Sequence, residues 1–196
     1  VSAAEPKLAP PGAGLPWVEL QVARAGFAWL SRMSSREKAA AAIAREGAKI
    51  AALARACDAR SGAERVLIRR LPGLEDSSRF WSVFMAVEHV RVVNLMVAQT
   101  IELLGRGEVP AQAASTAAVK PDPGADAAAI EGLLFACRLI ERRVRQVPAL
   151  RTKARYRHPW FGLLDAGQWH FMAGFHMGLH REQIKRIVAG LEAARS

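Results

Sequence analysis

His176 and His180 stand four positions apart in a run where Trp169, Ala173, His176, His180, Ile184, Ile187 and Leu191 recur at steps of three and four. On a helix such residues share one face, and side chains four apart are about 5–6 Å from each other at Cβ. His89 occupies an equivalent stripe, with Trp81, Met85, Val92, Met96, Gln99 and Leu103. Three of the five histidines therefore point inward. A buried imidazole needs partners for two ring nitrogens. One divalent ion serves three such rings at once: histidine nitrogens bind it at about 2.0–2.1 Å, and a three-ligand site leaves a position open for water or substrate. Hydrogen-bonded core histidines are the competing reading, and spacing alone leaves the two level.

Two further groups are candidate catalytic residues beside such a site. Glu88 precedes His89 but projects about 100° round the helix from it. It is either an acid–base group at the edge of the site or a surface charge, and the surface reading is favoured. His158 follows Tyr156 in a loop before the last helix, where the open end of a bundle would admit a ligand. It either orders that loop beside Pro159 or acts over the metal. His170, one residue past Trp169, is expected at the surface, as is Gln183, which would otherwise orient a ligand. Cys57 and Cys137 fall on apolar stripes and read as packing residues with no neighbour to lower a thiol pKa. The chain has no Gly-rich phosphate loop, no GxSxG elbow and no paired carboxylates at helical spacing, which sets aside several large enzyme classes.

The elements that must hold these residues are helices. Apolar residues make up 51% of the 196-residue chain and aromatics only 7%. Ala and Leu dominate, which favours helix over sheet. Residues 1–16 carry four prolines and two glycines and read as a flexible lead-in, leaving 17–196 as a single domain. A short helix is expected over Trp17 to Leu30, with Val18, Val22, Ala25 and Trp29 on its buried stripe and its tryptophans in the core. A second is expected from a Ser34 or Ser35 cap to about Ala59. The third would start at Asp76, Ser77 or Ser78 and run to Leu104, and the fourth would span Asp126 to Val147. The last opens at Asp165, with Gln168 in the capping-box position, and runs to about Ala194. Residues 111–124 read as a small-residue linker, and no segment alternates with strand period. The fold class is all-α.

The formal charge is +10, and +7 of it lies between Arg138 and Arg157, where eight basic residues face only Glu141. This patch would suit an anionic substrate or, less readily, nucleic acid phosphates. Arginine dominance in an Ala-rich chain also fits a plain solvated face. No signal-peptide pattern opens the sequence, and the most apolar stretch, Phe80 to Leu104, carries too many polar groups for lipid. With two widely spaced cysteines, a reducing cytoplasm is expected and a membrane is not.

The stretch from His158-Pro159-Trp160-Phe161-Gly162 to Trp169, followed by His176-Met177-Gly178-Leu179-His180-Arg181-Glu182-Gln183, resembles the closing segment of the DinB/YfiT-like superfamily. The start of the second bundle helix in that family is similar to Trp81-Ser82-Val83 with His89 eight residues past the tryptophan. The resemblance covers roughly residues 34–194, with specific motifs only at those two places. It implies a four-helix bundle, here with an additional short N-terminal helix, and a divalent metal, zinc or nickel, on His89, His176 and His180. It also implies thiol-dependent transfer or related hydrolase or isomerase chemistry on a small molecule, and a homodimer is compatible with it. The alternative is a non-catalytic binding module of the same fold, using its basic surface for an acidic partner or nucleic acid.

Overall fold

The three longest helices begin where a side chain satisfies backbone N–H groups that the helix itself leaves free. The computed structural model describes residues 6–195. In chain order it contains α1 (Trp17–Met33), α2 (Arg36–Arg55), α3 (Ala59–Ala63), β1 (Val66–Leu67), β2 (Phe80–Trp81), α4 (Val83–Gly105), α5 (Ala128–Gln146), β3 (Tyr156–His158), β4 (Gly162–Leu164) and α6 (Ala166–Ala193). Ser35 caps α2 by accepting from the Lys38 N–H at 3.2 Å. Ser82 caps α4 through the Met85 N–H at 3.1 Å. At α6 the capping box is complete: Asp165 accepts from the Gln168 N–H at 2.9 Å, and the Gln168 side chain accepts from the Asp165 N–H at 3.1 Å.

Helices α2, α4, α5 and α6 form a four-helix bundle. α4 packs against α5 and α6, and α2 closes the ring against the same two. Gly174 lets α6 approach α2, since a Cβ there would lie 3.1 Å from the Cβ of Ala42. The buried Glu46 on α2 accepts from Arg181 on α6 at 2.6 Å and fixes the same pair next to His180.

The expected absence of strands is corrected by two short antiparallel pairs, β1 with β2 and β3 with β4. Each strand is two or three residues long, too short for alternation to register in the sequence. They lie in the connections from α2 to α4 and from α5 to α6. The first pair also shifts the start of α4. Asp76–Ser78 makes a single 3₁₀ turn, Phe80 and Trp81 extend opposite Leu67 and Val66, and helix resumes only after Ser82.

Helix α1 faces opposite to expectation. Trp17, Val18, Val22 and Trp29 are all more than 60% exposed, whereas Phe27 is 2% exposed. Phe27 stacks on Phe161 at 4.2 Å between centroids and meets Phe171 and Phe175 edge-on. Glu19 adds an ion pair to Arg70 and accepts from the Gly73 N–H, and Arg24 donates to the Trp160 carbonyl at 2.6 Å. Phe27→Ala is expected to cost about 3–5 kcal/mol in urea unfolding, and Trp29→Ser no more than about 0.5 kcal/mol. The reverse order would place the exposed stripe in the core.

Of the lead-in, residues 1–5 lie outside the described region. Its remainder is tied to the 3₁₀ segment, where the Ala9 N–H donates to Asp76 at 2.8 Å and the Gly12 N–H to Glu75 at 3.3 Å. Among the described residues no helix is long and apolar enough to cross a membrane.

Candidate metal centre

The two stripes meet. His89 on α4 and His176 and His180 on α6 each offer a nitrogen, all within 4.8 Å of one another. Their rings lie 4.3 to 5.1 Å apart between centroids. The Nε2 atoms of His89 and His176 are 3.2 Å apart. Two ligands at about 2.0–2.1 Å on a tetrahedral ion are separated by roughly 3.3 Å, so this spacing already suits a shared ion.

Hydrogen bonds at the opposite edges of two rings decide which nitrogens are free. His89 Nδ1 is 2.7 Å from the Val119 carbonyl, which only accepts, so Nδ1 carries the proton and Nε2 a lone pair. Gln183 donates through Nε2 to the Ser78 carbonyl at 2.7 Å, which turns its Oε1 toward His180 Nδ1 at 2.6 Å. His180 Nδ1 therefore donates, and its Nε2 is free as well. Such outer hydrogen bonds orient ligating imidazoles and raise their basicity. His176 differs, because its Nδ1 is buried without a partner among the described residues. The contact between His89 and His176 is satisfied by one proton or one cation, and not by two lone pairs.

Burial holds all three rings in the neutral form that binds metal. It pushes His89 down to about 4 from the ordinary 6.5. His176 and His180 are driven well below that ordinary value, first by burial and then by neighbouring histidines. Trp81 forms one wall, stacked on His180 with an interplanar angle of 11° and tilted against His89 at 5.1 Å. The residues present thus fit one divalent cation.

The triad opens on a cavity of about 640 Å³. Its floor is the α4 stripe itself: Val92, Met96, Gln99 and Leu103 line the cavity, so the helical spacing that marked a core face marks a binding face. The opposite wall comes from the connection between α4 and α5, residues 110–120, which the sequence presented as a plain linker. It is held down by Tyr156 donating to the Gln112 carbonyl at 2.5 Å and by Thr116 donating to Glu75 at 3.0 Å.

His158 lines this cavity, and its Nδ1 accepts from the backbone N–H groups of Trp160 and Phe161 at 3.1 and 3.3 Å. The loop-ordering role is therefore present. With Nδ1 accepting and burial lowering the pKa to about 4, the neutral ring keeps its proton on Nε2 and serves as a donor. Glu88 is not brought to the cavity, because Arg91 clamps it through two hydrogen bonds of 2.7 and 2.6 Å.

His170 is 1% exposed rather than at the surface, because α6 packs on α2 as well as α4 and its buried arc is wider than one stripe. Gln183, at 0% exposure, is likewise buried and orients His180. Its place three residues past His180, at the end of the stretch that carries the resemblance, was the sign of this in the sequence. Burial raises both thiols, Cys137 to about 11, in keeping with packing roles.

Comparison with known protein families finds no match, and none of the curated proteins matches. Among solved structures, the chain is similar to the crystal structure of TT2238, a four-helix bundle protein, with a TM-score of 0.56 and 18% identity. The alignment covers 77% of this chain and 98% of that one. At this identity the likeness supports the bundle fold alone.

Proposed function

We propose that the chain is a divalent-metal-dependent enzyme of the DinB/YfiT-like type, with zinc or nickel on His89, His176 and His180. The observation that carries this is the convergence of three neutral imidazoles, two of them fixed by the hydrogen bonds to Val119 and Gln183 with Nε2 free. When bound, the ion supplies Lewis acidity, which brings a water or thiol donor toward its deprotonated form near neutral pH. The protein's own contribution is to orient and exclude. Gln183 and Val119 hold two rings in one tautomer, and Trp81 and the 110–120 wall keep bulk water from the imidazoles. His158 presents an Nε2–H to whatever occupies the cavity. The reaction class this suits is thiol-dependent transfer, or a related hydrolysis or isomerisation of a small molecule.

The apo chain reconstituted with cobalt(II) is expected to change its visible absorption when a small thiol is added, reporting an open coordination position. A spectrum indifferent to thiol and to other small donors would count against the open site. The alternative, a binding module, draws on Arg138, Arg142, Arg151, Arg155 and Arg157, all exposed. These arginines do not line the cavity. In β3 the strand period turns Tyr156 and His158 toward it and leaves Arg157 in solvent. Salt-dependent binding of DNA or RNA would favour that reading over the enzyme.

A further inference from the structure

Among the described residues, only two charged side chains, Glu75 and Lys120, line the cavity. They differ in how far their hydrogen-bonding capacity is used. Glu75 accepts from the Gly12 N–H, the Ser77 hydroxyl and the Thr116 hydroxyl, so both oxygens are occupied. Lys120 donates once, to Ser77 at 2.8 Å, and its Nζ lies 5.0 Å from the centre of the Trp81 ring. No carboxylate among the described residues forms an ion pair with it. An ammonium has three protons to donate, so two remain for a ligand in a half-buried setting. Burial lowers the Lys120 pKa, and the charge of Glu75 offsets only part of that effect. Trp81 touches both Lys120 and the histidines, which sets the cation one ring away from the candidate metal centre.

We propose that Lys120 and the histidine cluster are the two poles of one binding site, which takes an organic carboxylate. The carboxylate pairs with Lys120, and the apolar body lies against Met96, Trp160, Trp169 and Met172, all in the cavity wall. The far end of the ligand then carries its reacting atom toward His89, His176 and His180. A monoanion is the match rather than a phosphate group, because among the described residues a single ammonium faces the cavity and no arginine fork accompanies it. The rest of the lining is chiefly aliphatic and aromatic, which selects for an apolar body. The far-end placement rests on the metal-site reading above. The Lys120 contact does not, since it is formed by the metal-free chain.

The test compares phenylacetate with its uncharged counterpart phenylacetamide by calorimetric titration. It is run on the full chain after chelation and again after loading with zinc, for the unaltered protein and for Lys120→Met. A third protein, Arg155→Ala with Arg157→Ala, controls for binding to the exposed arginines. Phenylacetate is expected to bind the unaltered chain in both metal states and to bind Lys120→Met about tenfold or more weakly. Phenylacetamide should lose less than about twofold, since it has no charge to pair. The double arginine variant should behave as the unaltered chain does. The proposal is overturned if phenylacetate fails to saturate at millimolar concentrations, if Lys120→Met binds both probes alike the parent, or if the arginine variant carries the loss instead. Failure of the metal reading shows separately, as absence of zinc from the loaded sample with the Lys120 effect intact. Far-ultraviolet circular dichroism and a melting curve confirm that Lys120→Met is folded.

Discussion

Replacing His176 or His180 with alanine is expected to leave a folded chain that no longer retains stoichiometric metal. Each substitution removes one of three nitrogens that meet within 4.8 Å, and the two remaining imidazoles leave most of the coordination shell to solvent. Gln183→Leu separates ligation from orientation. It leaves all three imidazoles in place but frees His180 to rotate or change tautomer, and it strands the Ser78 carbonyl. Metal affinity should fall roughly ten- to a hundredfold, measured by competition with a chromophoric chelator. Some stability should be lost too, about 1–3 kcal/mol for each buried group left unpaired. An alanine variant at His176 with unchanged metal content would place the ion elsewhere.

Acid is expected to unfold the metal-free chain at unusually mild pH. All five histidines have pKa values lowered by burial: His89, His158 and His170 to about 4, and His176 and His180 well below 6.5. The unfolded chain protonates these rings near 6.5, while the folded chain keeps them neutral, so unfolding takes up protons below that pH. Their contribution to stability is thus fully present above about pH 6.5 and is lost as pH falls toward 4, at up to about 1.4 kcal/mol per pH unit for each ring. Urea midpoints measured from neutral pH down to this window, after chelation, should fall steeply. His170→Phe should flatten the slope by one proton, because His170 does not belong to the metal cluster. A midpoint that does not change with pH across the window would mean that these rings titrate as they do in water.

The bundle and its histidine pair were legible because both are local. Asp165 and Gln168 announce the start of α6, and the three- and four-residue steps from Trp169 to Leu191 run down its buried face. His89 was legible for the same reason, on a second stripe. Periodicity identifies an apolar face but not what covers it. On α1 the stripe through Val18 and Trp29 stays in solvent, because the contact with the aromatic cluster around Phe161 is made through Phe27 instead. On α4 the stripe from Val92 to Leu103 faces a cavity. Lys120, Val119 and Thr116 were illegible, since an aperiodic linker gives no sign of which wall it will form. Their roles depend on partners about thirty to forty-five positions away in sequence, such as His89, Ser77 and Glu75.

If His89, His176 and His180 hold one divalent ion, elemental analysis of the purified chain will register it. After incubation with zinc or nickel and removal of loose ions, the analysis should find one metal per chain in the unaltered protein and none in His176→Ala. A correctly folded chain that retains no metal after both incubations, or that retains the same amount without His176, would mean that these three histidines do not form a metal site.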